Sequence, residues 1–527
     1  MSVTRRRFLH DSAVLVTAAA ASRPIRGQSA DFDFIVVGAG SSGCVVVNRL
    51  TADPSIRVLL LEAGGPATSP AITDPGQWTT LLGSAVDWGY RTEPEPGLDG
   101  RTIDWPRGRV YGGSSSIHAM AHLRGHQLDF DGWAEAADDS WSYTAVLPYF
   151  KRSEDNSRGA SDYLGAGGPL GVTDQTDPHA GHDAFLAAAE ELGFSAAPTW
   201  DFNGRQQEQG AGFYQKTIRD GRRESSATAF LRPALDRPNL TVTPRALVRR
   251  VVFDGVRASG VEYAAGDRVE TARAARGVIL TAGAIESPKI LMLSGIGPAG
   301  ELRSHGVRVL RDIAEVGANL QDHPRVSLRW EGTGALPPSG VSAGLLTYSC
   351  RRPAAVPPDI QFYVGRGIDQ PDPFITLTLA FTRPRSRGSI SLRSANAAAA
   401  PLIRANYFAE PSDLDALVEG VRLARAFAGS TPYARLRGNA LDPDDTVRTP
   451  AEIRAHIRRA SGTMFHPVGT CRMGRDRASV VDPQLRVRGV DGLWVADASI
   501  MPTVVNSQTN AACLMIGERA AELVRRG

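Results

Sequence analysis

The sequence predicts an α/β fold that opens on a dinucleotide-binding βαβ unit, and three observations predict it. Residues 32–37 (FDFIVV) form an apolar run of strand length. That run passes directly into Gly38-Ala39-Gly40-Ser41-Ser42-Gly43 and then into a segment of helical character, 44–50. A second buried-strand run, 58–61, ends at Glu62, 22 residues after Gly40. Strand, glycine turn, helix, strand and acid in this order make a dinucleotide fingerprint.

Each part of the unit has a physical task. Gly38 permits the tight turn, Gly40 lets the backbone approach a pyrophosphate, and Gly43 allows close helix–strand packing. Ser41 and Ser42 open the helix, whose unpaired N–H groups and positive dipole end suit phosphate. Glu62, followed by Ala63, can accept hydrogen bonds from a ribose diol. The unit alone leaves FAD and NAD equally open, because both carry an adenosine diphosphate half.

The 527 residues suffice for two to four domain equivalents, and 42% hydrophobic against 22% charged residues is ordinary for a globular chain. The net charge of +3 is concentrated at the N-terminus. There Arg5, Arg6, Arg7, Arg23 and Arg26 face only Asp11, so the remainder is near neutral and implies no nucleic-acid face. Arginine supplies almost all cationic charge, with lysine only at 151, 216 and 289, a usage that a GC-rich genome explains. Cys44, Cys350, Cys471 and Cys513 are widely spaced, without a CxxC pair or a metal-type cluster. They read as mostly buried thiols, with a distant disulfide left open.

Residues 4–9 (TRRRFL) precede a weakly apolar stretch, 13–21, too short to span a bilayer comfortably. The segment resembles a twin-arginine export signal, with cleavage placed near Ala30 and a periplasmic or secreted location expected. Such export carries folded proteins, which suits a chain that acquires its cofactor first.

Further on stands Trp105-Pro106-Arg107-Gly108-Arg109-Val110-Tyr111-Gly112-Gly113-Ser114-Ser115-Ser116-Ile117-His118-Ala119-Met120, where small residues allow a backbone to lie against a flat ring. Residues 283–288 (GAIESP) lead to 294–298 (SGIGP), and 316–323 read VGANLQDH. Residues 466–474 read HPVGTCRMG, and 492–502 read GLWVADASIMP. Together these five segments, in this order, resemble the signatures of the glucose–methanol–choline (GMC) oxidoreductases over almost all of residues 31–525.

The resemblance implies FAD in a discontinuous Rossmann-like domain, with a substrate domain whose antiparallel sheet covers the flavin. The expected organisation is a signal segment at 1–30 and a region at 31–323 with most of the FAD domain. A mainly substrate-binding part follows at 324–460, and 461–527 return to the FAD domain. The runs 278–281 and 493–496 read as further strands of the nucleotide domain; 360–364, 375–381 and 389–392 read as strands of the substrate domain. Pro- and Gly-rich stretches at 332–344 and 352–358 read as surface loops or a lid margin. Arg109, Gly112, Gly113, Ser114, Ser115, His118, Ala119, Met120, Ala498 and Thr509 are implied cofactor contacts. Asp497 is placed at the ribityl hydroxyls, a role compatible with capping a helix. Val248, in segment 245–252, is either the adenine contact or an ordinary strand residue.

Oxidising an alcohol needs a hydride acceptor and a base for the hydroxyl proton, and histidine suits the base role near neutral pH. Among ten histidines, His466 matches the family's catalytic one. The family's second His or Asn falls here on Gln508, which can hydrogen-bond but not act as a base. Asn510 competes for that position, and Gln508 is also counted among the cofactor contacts. Relatives with covalent flavin use a histidine where this chain has Ile117, so FAD is expected to be non-covalent. The expected activity is oxidation of a small alcohol to an aldehyde or ketone, with oxygen, a quinone or a cytochrome as acceptor. A lyase of the hydroxynitrile or decarboxylase type, and a non-catalytic flavoprotein, are the rival readings. Trp78, Trp88 and Trp330 are assigned to core in preference to pocket.

Overall fold

The computed structural model describes residues 31–176, 178–333, 342–350, 356–364 and 374–526. The expected signal segment, and the parts of the lid margin at 334–341 and 352–355, lie outside the described residues.

Seven strands form the first sheet. Leu240–Pro244, Val58–Glu62, Phe32–Val37 and the C-terminal half of Arg268–Leu280 run parallel, and Leu493–Val495 pairs parallel beyond them. Ile35 stands between Leu59 and Val278, so the centre of the sheet is aliphatic on both sides. Phe34, Ile35, Val36, Val58 and Leu60 are fully buried, which accounts for unbroken apolar runs in place of alternation. The outer half of Arg268–Leu280 bends into an antiparallel meander with Arg257–Ala265 and Ala246–Asp254. The expected strands at 278–281 and 493–496 therefore belong to this sheet, together with the segment holding Val248.

Helix Ser41–Leu50 covers one face and packs against the C-terminal helix Thr509–Arg526. The two approach closely because Gly517 lies against Ser42, where a Cβ would meet the Ser42 carbonyl oxygen at 2.7 Å. Gly43 is tighter still: a Cβ there would lie 2.0 Å from the Gly38 carbonyl oxygen and 2.7 Å from Thr281 Oγ1.

The second sheet has eight strands. Arg437–Asp442, Pro324–Gly332, Phe374–Phe381, Ile360–Val364, Ala343–Thr347 and Gly210–Phe213 are antiparallel neighbours, and Ser195–Ala196 adds parallel at the edge. Gly462–Thr463 pairs with the start of Pro324–Gly332. Along that strand Val326, Leu328 and Trp330 are buried while Arg325, Ser327 and Arg329 are half-buried, the alternation of a sheet with one apolar face. Helix Pro411–Gly429 covers the apolar face, and Gly420 lets it approach Leu379.

Two expectations need correction. Residues 389–392 do not join this sheet: Ser389–Ser391 pairs with Leu402–Arg404 in a separate ribbon. The Ile390 amide donates to the Gly317 carbonyl at 2.7 Å, which ties the ribbon to the loop beside the first domain. Of the tryptophans, Trp330 is core, but Trp78 and Trp88 are half-buried and line the central cavity. Of the cysteines, Cys44 and Cys471 are buried, Cys513 is half-buried and Cys350 is exposed.

The Gly43 contact predicts a stability asymmetry. Gly43→Ala is expected to lower stability by about 1–3 kcal/mol through overpacking. Gly132→Ala, in an open helical position where nothing lies within 4 Å, is expected to raise it by about 0.5–1 kcal/mol. Thermal unfolding of the two variants checks the pair; equal melting temperatures would contradict the packing role.

Candidate functional site

A cavity of about 500 Å³ runs from the glycine turn to the polar face of the second sheet, a size usual for ligand sites. At one end it is lined by Gly38, Gly40, Ser41, Ser42, Glu62, Ala63, Val248, Gly113 and Ser114. His118, Ala119, Met120, Asp497, Ala498, Thr509 and Asn510 also line it. His466 and Gln508 line it where it meets the second sheet's Arg325, Ser327, Arg329, Tyr363, Thr376 and Thr378.

The turn is built to receive a phosphate. Gly40 precedes helix Ser41–Leu50 with its side-chain position open, since a Cβ would meet only Thr281 O at 3.6 Å. Gly113 comes within 2.8 Å of the Gly40 Cα for a Cβ, so the two loops can close only on glycine. Glu62 braces the turn: its Oε2 accepts the Ala39 amide at 2.8 Å and its Oε1 the Gly64 amide at 2.7 Å. Burial pushes the Glu62 carboxyl up to about 7, against the pull of those amides and of Arg109. Each oxygen keeps a second lone pair for a diol in the cavity.

Gly43, Arg109, Gly112 and Ser115 do not line the cavity. Gly43 is packing alone. Arg109 is exposed, with its guanidinium 4.8 Å from the ring centre of the cavity-lining Trp88, and its charge acts on Glu62 and Tyr90. The arginine of this segment that does line the cavity is Arg107, two residues earlier, whose Nη2 donates to the Phe465 carbonyl at 2.7 Å. Gly112 donates its amide to Ala39 O at 2.8 Å, and Ser115 Oγ bonds Gly112 O and Ser226 Oγ, so both hold the loop from behind.

Asp497 is more a joint than a free ligand. Its Oδ2 accepts from the Gly283 amide at 2.8 Å and Ser287 Oγ at 2.6 Å. Its Oδ1 accepts from the Ser499 amide at 2.8 Å and Ser499 Oγ at 2.6 Å. Four donors fill the carboxylate's lone pairs, so the capping role is the one the geometry realises, at the starts of helices Gly283–Leu293 and Ala498–Ile500.

Asn510 turns away from the proton chemistry: its Oδ1 accepts from Ser41 Oγ at 2.6 Å, linking the C-terminal helix to the glycine turn. Gln508 instead reaches the second sheet, where its Nε2 donates to the Tyr363 hydroxyl.

His466 is held from three sides. Its amide donates to Asp322 Oδ1 at 2.7 Å, and the Tyr407 hydroxyl donates to Asp322 Oδ2. Its Nδ1 lies 3.0 Å from Nδ1 of His323. His323 faces the backbone of Thr382 and Val505, which favours a proton on its Nε2, although no carbonyl closes to hydrogen-bond geometry there. The tautomer in which His466 Nδ1–H donates to His323 Nδ1 leaves the lone pair of His466 Nε2 for the cavity, and it is the one that a base at this position requires. Burial, reinforced by His323, Arg107 and His118, holds His466 well below the usual histidine range. The ring is a neutral acceptor.

His118 is a second neutral imidazole, pushed down to about 3 by burial and by Arg223, whose Nη1 donates to its Nδ1 at 3.0 Å. Ile117, beside it, lines the cavity with an aliphatic side chain.

Arg107, His323 and Tyr363 are site residues that the motifs alone do not single out, while Trp78 and Trp88 were expected in the core and line the cavity instead. Arg107 and His323 lay inside quoted motifs. Tyr363 carried no local signal, because only sheet pairing brings Ile360–Val364 over residue 508.

Comparison with known proteins adds the context. The chain matches the family model described as GMC oxidoreductase over residues 32–325 and again over 384–517. It is 40% identical to an alcohol dehydrogenase [acceptor] of Pseudomonas putida, over 94% of this chain and 96% of that protein. It is also 40% identical to mitochondrial choline dehydrogenase of Mus musculus, over 94% and 89%. Among solved structures it superposes on pyridoxine 4-oxidase from Mesorbium loti with a TM-score of 0.90 and 35% identity, covering 94% of this chain and 100% of that one.

Proposed function

The chain belongs to the GMC oxidoreductase family, and from that premise we propose that it oxidises the CH–OH group of a small polar alcohol, with His466 as the acceptor of the hydroxyl proton. The observation that carries the reading is the position of neutral His466 in a cavity continuous with the glycine turn. Dehydrogenases and an oxidase among the relatives favour oxidation and set the lyase reading aside.

The residues present fit FAD: a turn open at Gly40, a braced acid at Glu62, and small residues at Gly113 and Ser114. When bound, FAD supplies the hydride acceptor. The protein's own work is to hold the alcohol and move its proton. His466 Nε2 takes the hydroxyl proton as the C–H bond breaks, and His323 fixes the ring so that this lone pair points to the cavity. Burial beneath the second sheet keeps water away from the base.

The substrate wall favours a hydroxylated, uncharged alcohol over choline. A trimethylammonium group is bound by acidic or aromatic walls. The described residues of this wall present the guanidinium groups of Arg325 and Arg329, three hydroxyl side chains and one phenol, and the carboxylate of Asp442 is engaged with Arg329 at 3.2 Å. Those hydroxyl groups can hydrogen-bond a hydroxylated alcohol, whereas a trimethylammonium group has no hydrogen to offer them.

Anaerobic mixing of the flavin-loaded protein with alcohols tests the reading. Glycerol and other uncharged polyols are expected to bleach the flavin absorbance, and choline to do so at least about tenfold more slowly. His466→Ala is expected to slow bleaching by about 10²–10⁴-fold with flavin content unchanged. Equal rates in the variant would remove His466 from the chemistry.

We also propose that the flavin is non-covalent, supported by the aliphatic Ile117 where covalent relatives carry histidine. Acid precipitation is expected to leave all the yellow colour in the supernatant; flavin in the protein pellet would contradict this.

A further inference from the structure

We propose that Tyr363 is a second catalytic residue: a phenol donor that holds the substrate oxygen opposite His466, aimed into the cavity by Gln508. The inference rests on the alcohol-oxidation reading above and assigns the oxygen-side contact that Gln508 itself does not make.

Gln508 stands where a histidine or asparagine was expected to face the base. Its longer side chain is only 8% exposed, and one of its two Nε2 hydrogens goes to the Tyr363 hydroxyl. Its Oε1 is buried with no partner. Tyr363 lines the cavity beside it. This residue is half-buried on strand Ile360–Val364, on the face that also presents Ser327 and Thr378. Strand pairing sets Tyr363 opposite Thr378, so its position is fixed by the sheet and not by a loop. Its ring packs against Tyr214 at 5.4 Å between centroids. Tyr214 is itself held, with its hydroxyl donating to Phe362 O at 2.7 Å.

The hydrogen count completes the argument. The Tyr363 oxygen already accepts the Gln508 N–H, so its own hydrogen must point elsewhere. Among the described residues no acceptor takes it, and the cavity is where a substrate oxygen can. Burial holds the phenol well above its usual range, so it stays protonated at any working pH. In the reaction the alcohol O–H proton passes to His466 Nε2 and the C–H electron pair leaves as the hydride. Tyr363 keeps its own proton throughout and stabilises the negative charge that develops on the oxygen becoming the carbonyl. This is the role of an oxyanion donor, strongest when the oxygen is most negative.

The test uses flavin-loaded protein, anaerobic stopped-flow reduction, and rates expressed per bound flavin. Tyr363→Phe removes one donor and is expected to lower the limiting reduction rate by about 10²–10³-fold. Substrate half-saturation, flavin content and melting temperature should change little. Gln508→Glu replaces the amide donor with an acceptor, which turns the phenol hydrogen back onto residue 508. It is expected to produce a similar loss while tyrosine is still present, and the double variant is expected to be no slower than either single one. Three results would overturn the proposal: a Tyr363→Phe rate within twofold of wild type, single losses that multiply in the double variant, or a loss confined to flavin content and melting temperature. Failure of the underlying reading looks different, because wild-type protein would then not be bleached by any alcohol.

Discussion

Asp322 holds the seam on which the rest of the site depends. Its carboxylate takes the His466 amide on one oxygen and the Tyr407 hydroxyl on the other, with Arg107 close enough to favour its charge. A buried carboxylate without such partners would cost several kcal/mol. Here the cost is offset by groups from three separate segments: Arg107 before the cofactor loop, Tyr407 after the ribbon, and His466 in the returning C-terminal chain. The same aspartate is followed directly by His323, whose ring meets His466 edge-on at 5.1 Å between centroids. One short stretch, 322–323, therefore sets both the backbone and the ring of the base. It also opens into strand Pro324–Gly332, which lays the polar wall over the cavity.

The neutrality of His466 follows from this arrangement. Burial is the main cause, and His323, Arg107 and His118 add to it, so a positive charge on the ring is disfavoured. The negative charge of Asp322 is directed to the backbone amide and the phenol, not to the ring. The site thus differs from an acid–histidine pair, in which a carboxylate on Nδ1 raises basicity. A neutral imidazole in its place confers orientation without stabilising the imidazolium, leaving the oxygen side to carry more of the stabilisation.

Much of the fold was legible because its signals are local. The turn 38–43, the acid at 62 and the apolar runs at 278–281, 360–364, 375–381 and 493–496 each encode a conformation within a few residues. What was not legible depended on facing and pairing. Arg107 and Arg109 are equivalent in sequence, yet the chain lines the cavity with one and leaves the other exposed over Trp88. Residues 389–392 have strand character, but their partner is Leu402–Arg404 and not the main sheet. Asn510 was a plausible partner for the base until the first turn of helix Thr509–Arg526 aimed it at Ser41. Tyr363 has no signature at all, since its role arises only where a substrate-sheet strand crosses the loop before that helix.

The central claim is that His466 acts as a neutral base whose proton affinity has been lowered by burial, by the cationic Arg107 and by the two imidazoles near it. The reactive form is the unprotonated ring, so the rate of flavin reduction falls only when pH drops far enough to protonate it. Stopped-flow reduction of the flavin-loaded protein at saturating alcohol, followed from pH 9 downward, measures that limb directly (roughly the range set by an ordinary histidine at about 6.5). The account predicts a rate that stays flat through 6.5 and falls only below it; a limb with its midpoint at or above 6.5 would contradict it.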